Sequence, residues 1–138
     1  MLSVRKQFTL TKNERLKSRK QIEQLFDKGK SFVVSPFRVY YNLNKDNKES
    51  GLQFGTGVSA KNFKRAVDRN RIKRLVREAW RLQKNELKEK IKMTGRQLNV
   101  FFIYTGKELP DFATVKDKVD VALKKLADKT NENVSSHP

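Results

Sequence analysis

GVSAKNFKRAVDRNRIKRLVREAWRL, residues 57–82, runs from a glycine-punctuated strand end into a helix whose two sides differ in chemistry. From about Arg65 the apolar residues Ile72, Leu75, Val76, Ala79 and Leu82 recur at helical spacing, and at roughly 100° per residue they share one side. Asn70, Arg71, Lys73, Arg74, Arg77 and Arg81 cover most of the other side. Between Lys61 and Arg81 the only acids are Asp68 and Glu78. A basic run is ordinarily a solvated helix face, but such faces alternate sign to gain i,i+4 pairs. Arginine also outnumbers lysine from Arg65 to Arg81, which suits forked hydrogen bonds to phosphate. One face is built for burial. The other needs a polyanion to relieve the repulsion among its cations.

The whole chain carries the same bias. Its 138 residues (16.2 kDa) suit one domain with a single modest core. Lys and Arg number 32 against 15 Asp and Glu, a formal charge of +17. Nucleic acid is the first partner class for such an excess and an anionic membrane the second. The longest uninterrupted apolar run, Val100–Tyr104, is far short of the roughly 20 residues that span a bilayer. The N-terminus lacks the apolar core of a signal peptide, and without Cys there is no disulfide framework or thiolate chemistry. The expectation is a cytoplasmic protein without a membrane partner.

Upstream of the basic helix, Gly51–Val58 reads as a strand. Gly51, Gly55 and Gly57 lack the Gly-Lys-Ser/Thr ending of a phosphate loop, and glycines in a strand mark bulges or close backbone approach. Phe37, Val39, Tyr41 and Leu43 alternate with Arg38, Tyr40 and Asn42, which predicts a strand with one buried face and Tyr40 on the other. The polar stretch Asn44–Ser50 reads as a hairpin loop pairing these two strands antiparallel. A short strand is possible at Phe32–Val34. Ser18 followed by Gln21 fits a capping box opening a first helix, with Ile22, Leu25 and Phe26 as its stripe and Gly29 as its stop. Before it, Phe8 and Leu10 are possible anchors in a polar segment.

Downstream, the basic helix continues or restarts through Lys84–Lys92 and breaks at Thr94-Gly95. Leu98–Tyr104 is nearly all apolar, as befits a central strand covered on both faces. A last helix is expected from about Phe112 to Ala127, striped by Val115, Val119, Ala122, Leu123 and Leu126. The expected organisation is a single domain over residues 1–129 and a disordered tail over 130–138. The order α-β-β-α-β-α defines an α/β chain, an α+β sandwich: a small mixed sheet of three to four strands with helices packed on it.

Catalytic side chains are scarce. The only His, His137, lies in the polar tail. The usual zinc sites and the Ser-His or Cys-His arrangements are therefore unavailable. Asp68, Glu78, Glu86 and Glu89 are scattered among cations rather than clustered as in a two-metal nuclease.

One resemblance connects these features. Phe54-Gly55-x-Gly57-Val58-Ser59, then Lys61-Asn62-x-Lys64-Arg65-Ala66-x-x-Arg69-Asn70-Arg71-Ile72-Lys73-Arg74-x-x-Arg77-Glu78-Ala79, resembles the signature of the bacterial ribonuclease P protein subunit. Arg15-Leu16, the Ile22/Phe26 spacing, Gly29 and Phe37-x-x-Tyr40 agree with it, so the match spans roughly Arg15 to Phe102. It implies a left-handed βαβ crossover at the motif helix, against the usual right-handed rule. It implies a catalytic RNA partner, bound 1:1 by a monomeric protein, that hydrolyses precursor tRNA with Mg²⁺ to give the mature 5′ end. No catalytic residue is then expected in the protein, and any metal bound by the protein itself is unassigned. Lys61, Lys64, Arg65, Arg69, Asn70, Arg71, Lys73, Arg74 and Arg77 would face the catalytic RNA. Those that point inward, Asn70 among the candidates, would brace the crossover instead. Ile22, Phe26, Phe37 and Tyr40 match the surface that receives the 5′ leader. Phe37 reads better as core, and Tyr40 is the best stacking candidate. Ile22 stands where the family often has an aromatic, and Ala60 replaces the first of two common lysines.

Two other classes remain. A ribosomal or RNA-chaperone protein explains the charge but not the full motif run. A protein-only, metal-dependent nuclease would cleave precursor tRNA without RNA.

Overall fold

The computed structural model of the chain describes residues 14–16, 18–44 and 51–135; the expectations for Phe8, Leu10 and the loop after Asn44 lie outside the described residues. Helix α1 spans Arg19–Lys28, followed by strands β1 (Lys30–Val34), β2 (Phe37–Asn44) and β3 (Gly51–Val58). Helices α2 (Ala66–Gln83) and α3 (Asn85–Thr94), strand β4 (Gln97–Tyr104) and helix α4 (Phe112–Ser135) complete the order. Local chemistry sets the boundaries. The Ser18 hydroxyl accepts from the Gln21 N–H at 3.3 Å to cap α1. Asp111 does the same for α4, taking the Thr114 N–H at 2.8 Å. Gly95, at φ 69°, closes α3 in the left-handed region. Gly29 also ends its helix, but in extended conformation. Its requirement is space, since a Cβ there would lie 2.3 Å from the Leu25 carbonyl oxygen.

The four strands form one mixed sheet in the order β1-β2-β4-β3. β4 pairs antiparallel with β2 and parallel with β3, so the expected β2–β3 hairpin is corrected: β4 lies between them. Asn44 and Gly51 both pair with Gln97, from opposite sides. Asn44 and Gly51 therefore lie two strand spacings apart, about 10 Å. The reason is burial. The apolar β4 buries Leu98, Val100, Phe102 and Tyr104 on one face and takes a partner at each edge, and a β2–β3 pair would leave it at the margin. The short strand at Phe32–Val34 is real and forms the outer edge as part of β1, paired to β2 through Phe32 and Val39.

Phe37, Val39 and Tyr41, with Leu52 and Phe54 and with Leu98, Val100, Phe102 and Tyr104, bury one sheet face. Against it pack Ile72, Val76, Ala79 and Trp80 of α2, Leu87 and Ile91 of α3, and the Val115–Leu126 stripe of α4. Phe37 is core, 1% exposed, as its strand position required. Trp80 stacks on Phe54 with ring centroids 4.4 Å apart, and Leu82, expected in the stripe, is exposed instead. Helix α4 runs to Ser135, past the expected helix end at about Ala127. Thr130 is buried one turn beyond Leu126, with its hydroxyl donating to the Leu126 carbonyl at 2.8 Å. No proline or glycine interrupts the chain there. Among the described residues no helix is long and apolar enough to cross a membrane.

Candidate nucleic-acid interface

Because Ile72, Val76, Ala79 and Trp80 bury one side of α2, the helical period turns Asn70, Arg71, Arg74 and Arg77 outward, and Arg65 precedes them at the extended N-cap. All five are exposed, and Lys73 is half-buried beside them. Asn70 therefore does not brace the crossover. Among the described residues no acid pairs with Arg65, Arg71, Lys73, Arg74 or Arg77; Glu78 is committed to Arg81, whose Nε donates to it at 3.0 Å. That bond holds the Glu78 carboxyl below its ordinary range. The helix thus presents uncompensated cations on a rigid support.

The turn entering α2 adds two more. Lys61 and Lys64 are exposed, while Phe63 between them is buried against Tyr104, with centroids 6.0 Å apart. The Asn62 side-chain amide donates to the Thr105 and Gly106 carbonyls at 3.2 and 3.3 Å, tying the turn to the end of β4. Arg69 reaches back from α2, and its Nη1 donates to the Phe63 and Lys64 carbonyls, both at 2.8 Å. Of the nine residues matched to RNA binding, Arg69 is the one found bracing the fold.

A second surface lies on the opposite sheet face, beside α1. Phe26, 41% exposed, meets the edge of Tyr40 at 4.8 Å and of Phe101 at 5.3 Å. Tyr40 is half-buried, so the ring keeps an open part. Phe101 lies across β3 at its glycines: a Cβ at Gly55 would stand 2.8 Å from the ring, and one at Gly57 3.2 Å. Close approach explains both glycines. At the outer edge of β3 a cleft of about 410 Å³ is walled by Ile22 of α1, Arg77 of α2, Arg15 and Leu16, with Phe101, Gly55 and Thr56 also lining it. The Thr56 hydroxyl oxygen is buried with no partner among the described residues. Ile22, Phe26 and Tyr40 thus gather around Phe101. Further along the same face, Asn42 stands opposite Asn99 with both Oδ1 atoms buried and unpartnered among the described residues, so this face is not a second apolar core.

Sequence reasoning placed Phe101 inside a doubly covered strand and gave Arg15 no site role. The signal for Phe101 was the pair of glycines on the neighbouring strand, and pairing was needed to read it. Arg15 had one signal, the Arg15-Leu16 match to the family signature, which carried no site role. Its place follows from residues 14–16 running beside β3, with the Leu16 N–H donating to the Phe54 carbonyl at 2.8 Å. Among the described residues no group of three or more acidic or histidine side chains converges as a metal site would require.

The sequence matches the family model described as Ribonuclease P over residues 10–127. It is 41% identical over 120 residues to the ribonuclease P protein component of Porphyromonas gingivalis, covering 87% of this chain and 88% of that one. The ribonuclease P protein component of Chlorobium phaeobacteroides is 32% identical over 121 residues, covering 80% and 83%. The fold superposes on the RNase P protein from Thermotoga maritima with a TM-score of 0.62 at 29% identity, over 81% of this chain and 96% of that one. The Staphylococcus aureus RNase P protein shares the fold at a TM-score of 0.65, with 22% identity over 82% and 94%. By its motif helix, its sheet order and these matches, the chain belongs to the ribonuclease P protein family.

Proposed function

We propose that the chain is the protein subunit of ribonuclease P, acting in tRNA 5′ processing. The observation that carries this is the outer face of α2, whose cations have no acidic partner among the described residues. That face and the Lys61–Lys64 turn bind the catalytic RNA through its phosphates. The single-stranded 5′ leader of precursor tRNA lies on the second sheet face, where Tyr40, Phe26 and Phe101 offer rings to its bases. Arg15 and Arg77 flank the adjoining cleft with charge for its backbone. Mg²⁺ belongs to the RNA, which performs the hydrolysis. The protein supplies fixed positive charge that partly replaces divalent screening. It works as a cytoplasmic monomer, one copy per RNA.

Reconstitution with the cognate RNA tests this directly. The protein alone should not cleave precursor tRNA, and it should raise cleavage by the RNA most strongly at low Mg²⁺. Turnover by RNA-free protein would establish a protein nuclease. Absence of stimulation at every Mg²⁺ level would leave only an RNA-coating role of the ribosomal or chaperone kind.

A further inference from the structure

Glu14 is buried at the junction of α2 and α3. Its carboxylate accepts hydrogen bonds from Nζ of Lys84, itself 1% exposed, and from Nζ of Lys88. The lysines are rigidly placed, since Lys84 joins two helices and its carbonyl accepts the Lys88 N–H at 2.9 Å. The next two residues, Arg15 and Leu16, help form the cleft wall beside β3, where a bridge at Phe54 holds them. Arg15 is exposed and has no acidic partner among the described residues. A buried ion pair contributes little net stability over apolar packing, and its best-attested use is to fix register. A carboxylate gripped by two lysines, one residue before Arg15, does this for the segment.

We infer that Glu14, through Lys84 and Lys88, is a positioning residue that holds Arg15 at the cleft to meet a phosphate of the 5′ leader. The inference rests on the leader reading above. It goes beyond that reading by assigning a role to three charges that touch no RNA.

The test uses holoenzyme reconstituted with the catalytic RNA, with affinities measured for precursor tRNA and for mature tRNA lacking the leader. Urea unfolding of each variant is run in parallel. Glu14→Gln and Arg15→Ala should each weaken precursor binding about tenfold, the loss of one charged hydrogen bond, and leave mature tRNA unchanged. Unchanged precursor affinity in Glu14→Gln overturns the inference, and so does a loss shared equally by mature tRNA. If Glu14→Gln does not fold, Lys88→Ala, which keeps the Lys84 bond, is read by the same two affinities. Arg15→Ala and Tyr40→Ala separate the two failures. If both retain full preference for the leader, the leader reading itself falls; if they lose it and Glu14→Gln does not, only the positioning role falls.

Discussion

Tyr40 stands where strand alternation and a neighbouring helix compete for one ring. Alternation puts it opposite Phe37, Val39 and Tyr41, and α1 then covers part of it through Phe26 at 4.8 Å. The half left open can stack on a base, worth roughly 1–3 kcal/mol. Tyr40→Ala should therefore weaken holoenzyme binding of precursor tRNA by about that amount and spare mature tRNA. Substrates with progressively shortened leaders check this, and a deficit independent of the leader would show that Tyr40 serves only as packing. Gly55 presents the converse case, a residue defined by what it lacks. With the Phe101 ring 2.8 Å from where its Cβ would stand, Gly55→Ala must displace the ring or the strand. Overpacking of this kind costs about 1–3 kcal/mol. Urea unfolding should show the loss, and Gly51→Ala, with open space but φ 146°, supplies a contrast in backbone strain alone.

At the scale of the element, α2 separates stability from binding across its own axis. Ile72 is fully buried, so Ile72→Ala should lower stability by about 2–5 kcal/mol with little change in the salt dependence of RNA binding. Arg74 is exposed and unpaired among the described residues. Arg74→Ala should leave unfolding unchanged and reduce the slope of log affinity against log salt by about one. Paired unfolding and salt titrations decide the matter, and similar effects of the two substitutions on both readouts would refute the two-face helix. Arg69 falls between these classes. Its bonds to the Phe63 and Lys64 carbonyls shape the turn that presents Lys61 and Lys64. A motif arginine thus acts here through the backbone it holds.

Across the whole molecule, buried charge links the N-terminal segment to the helices. Burial pushes the Glu14 carboxyl up, but hydrogen bonds from Lys84 and Lys88, with their charges, outweigh it and leave the group below its ordinary 4.5. A carboxyl depressed in the folded state contributes stability that is present above its unfolded value and lost as pH falls through the folded one. The protein should therefore lose stability on acidification below about pH 4.5, where the unfolded chain takes up the proton first. Glu14→Gln, which cannot titrate, should flatten that part of the profile. Unfolding midpoints measured between neutral pH and pH 3 test it, and an acid slope identical in the two proteins would remove Glu14 as its source.

Some of this was determined by sequence alone, wherever the cause is local. Residue period placed the burial and cationic faces of α2. Cap chemistry started α1 at Ser18, and the alternation Phe37–Leu43 sent Phe37 to the core and Tyr40 away from it. The motif run, read residue by residue, identified the family. Other features needed tertiary structure because their causes lie far apart in the chain. Pairing β4 between β2 and β3 depends on where apolar surface can be covered, which no single strand reveals. That pairing set Phe101 over Gly55 and Gly57. It also left the β3 edge to be covered by residues 14–16, and Arg15 entered the cleft with them. The inward turn of Arg69 and the grip of Lys84 on Glu14, 70 residues apart in sequence, were likewise decided only when the packed chain brought donor and acceptor together.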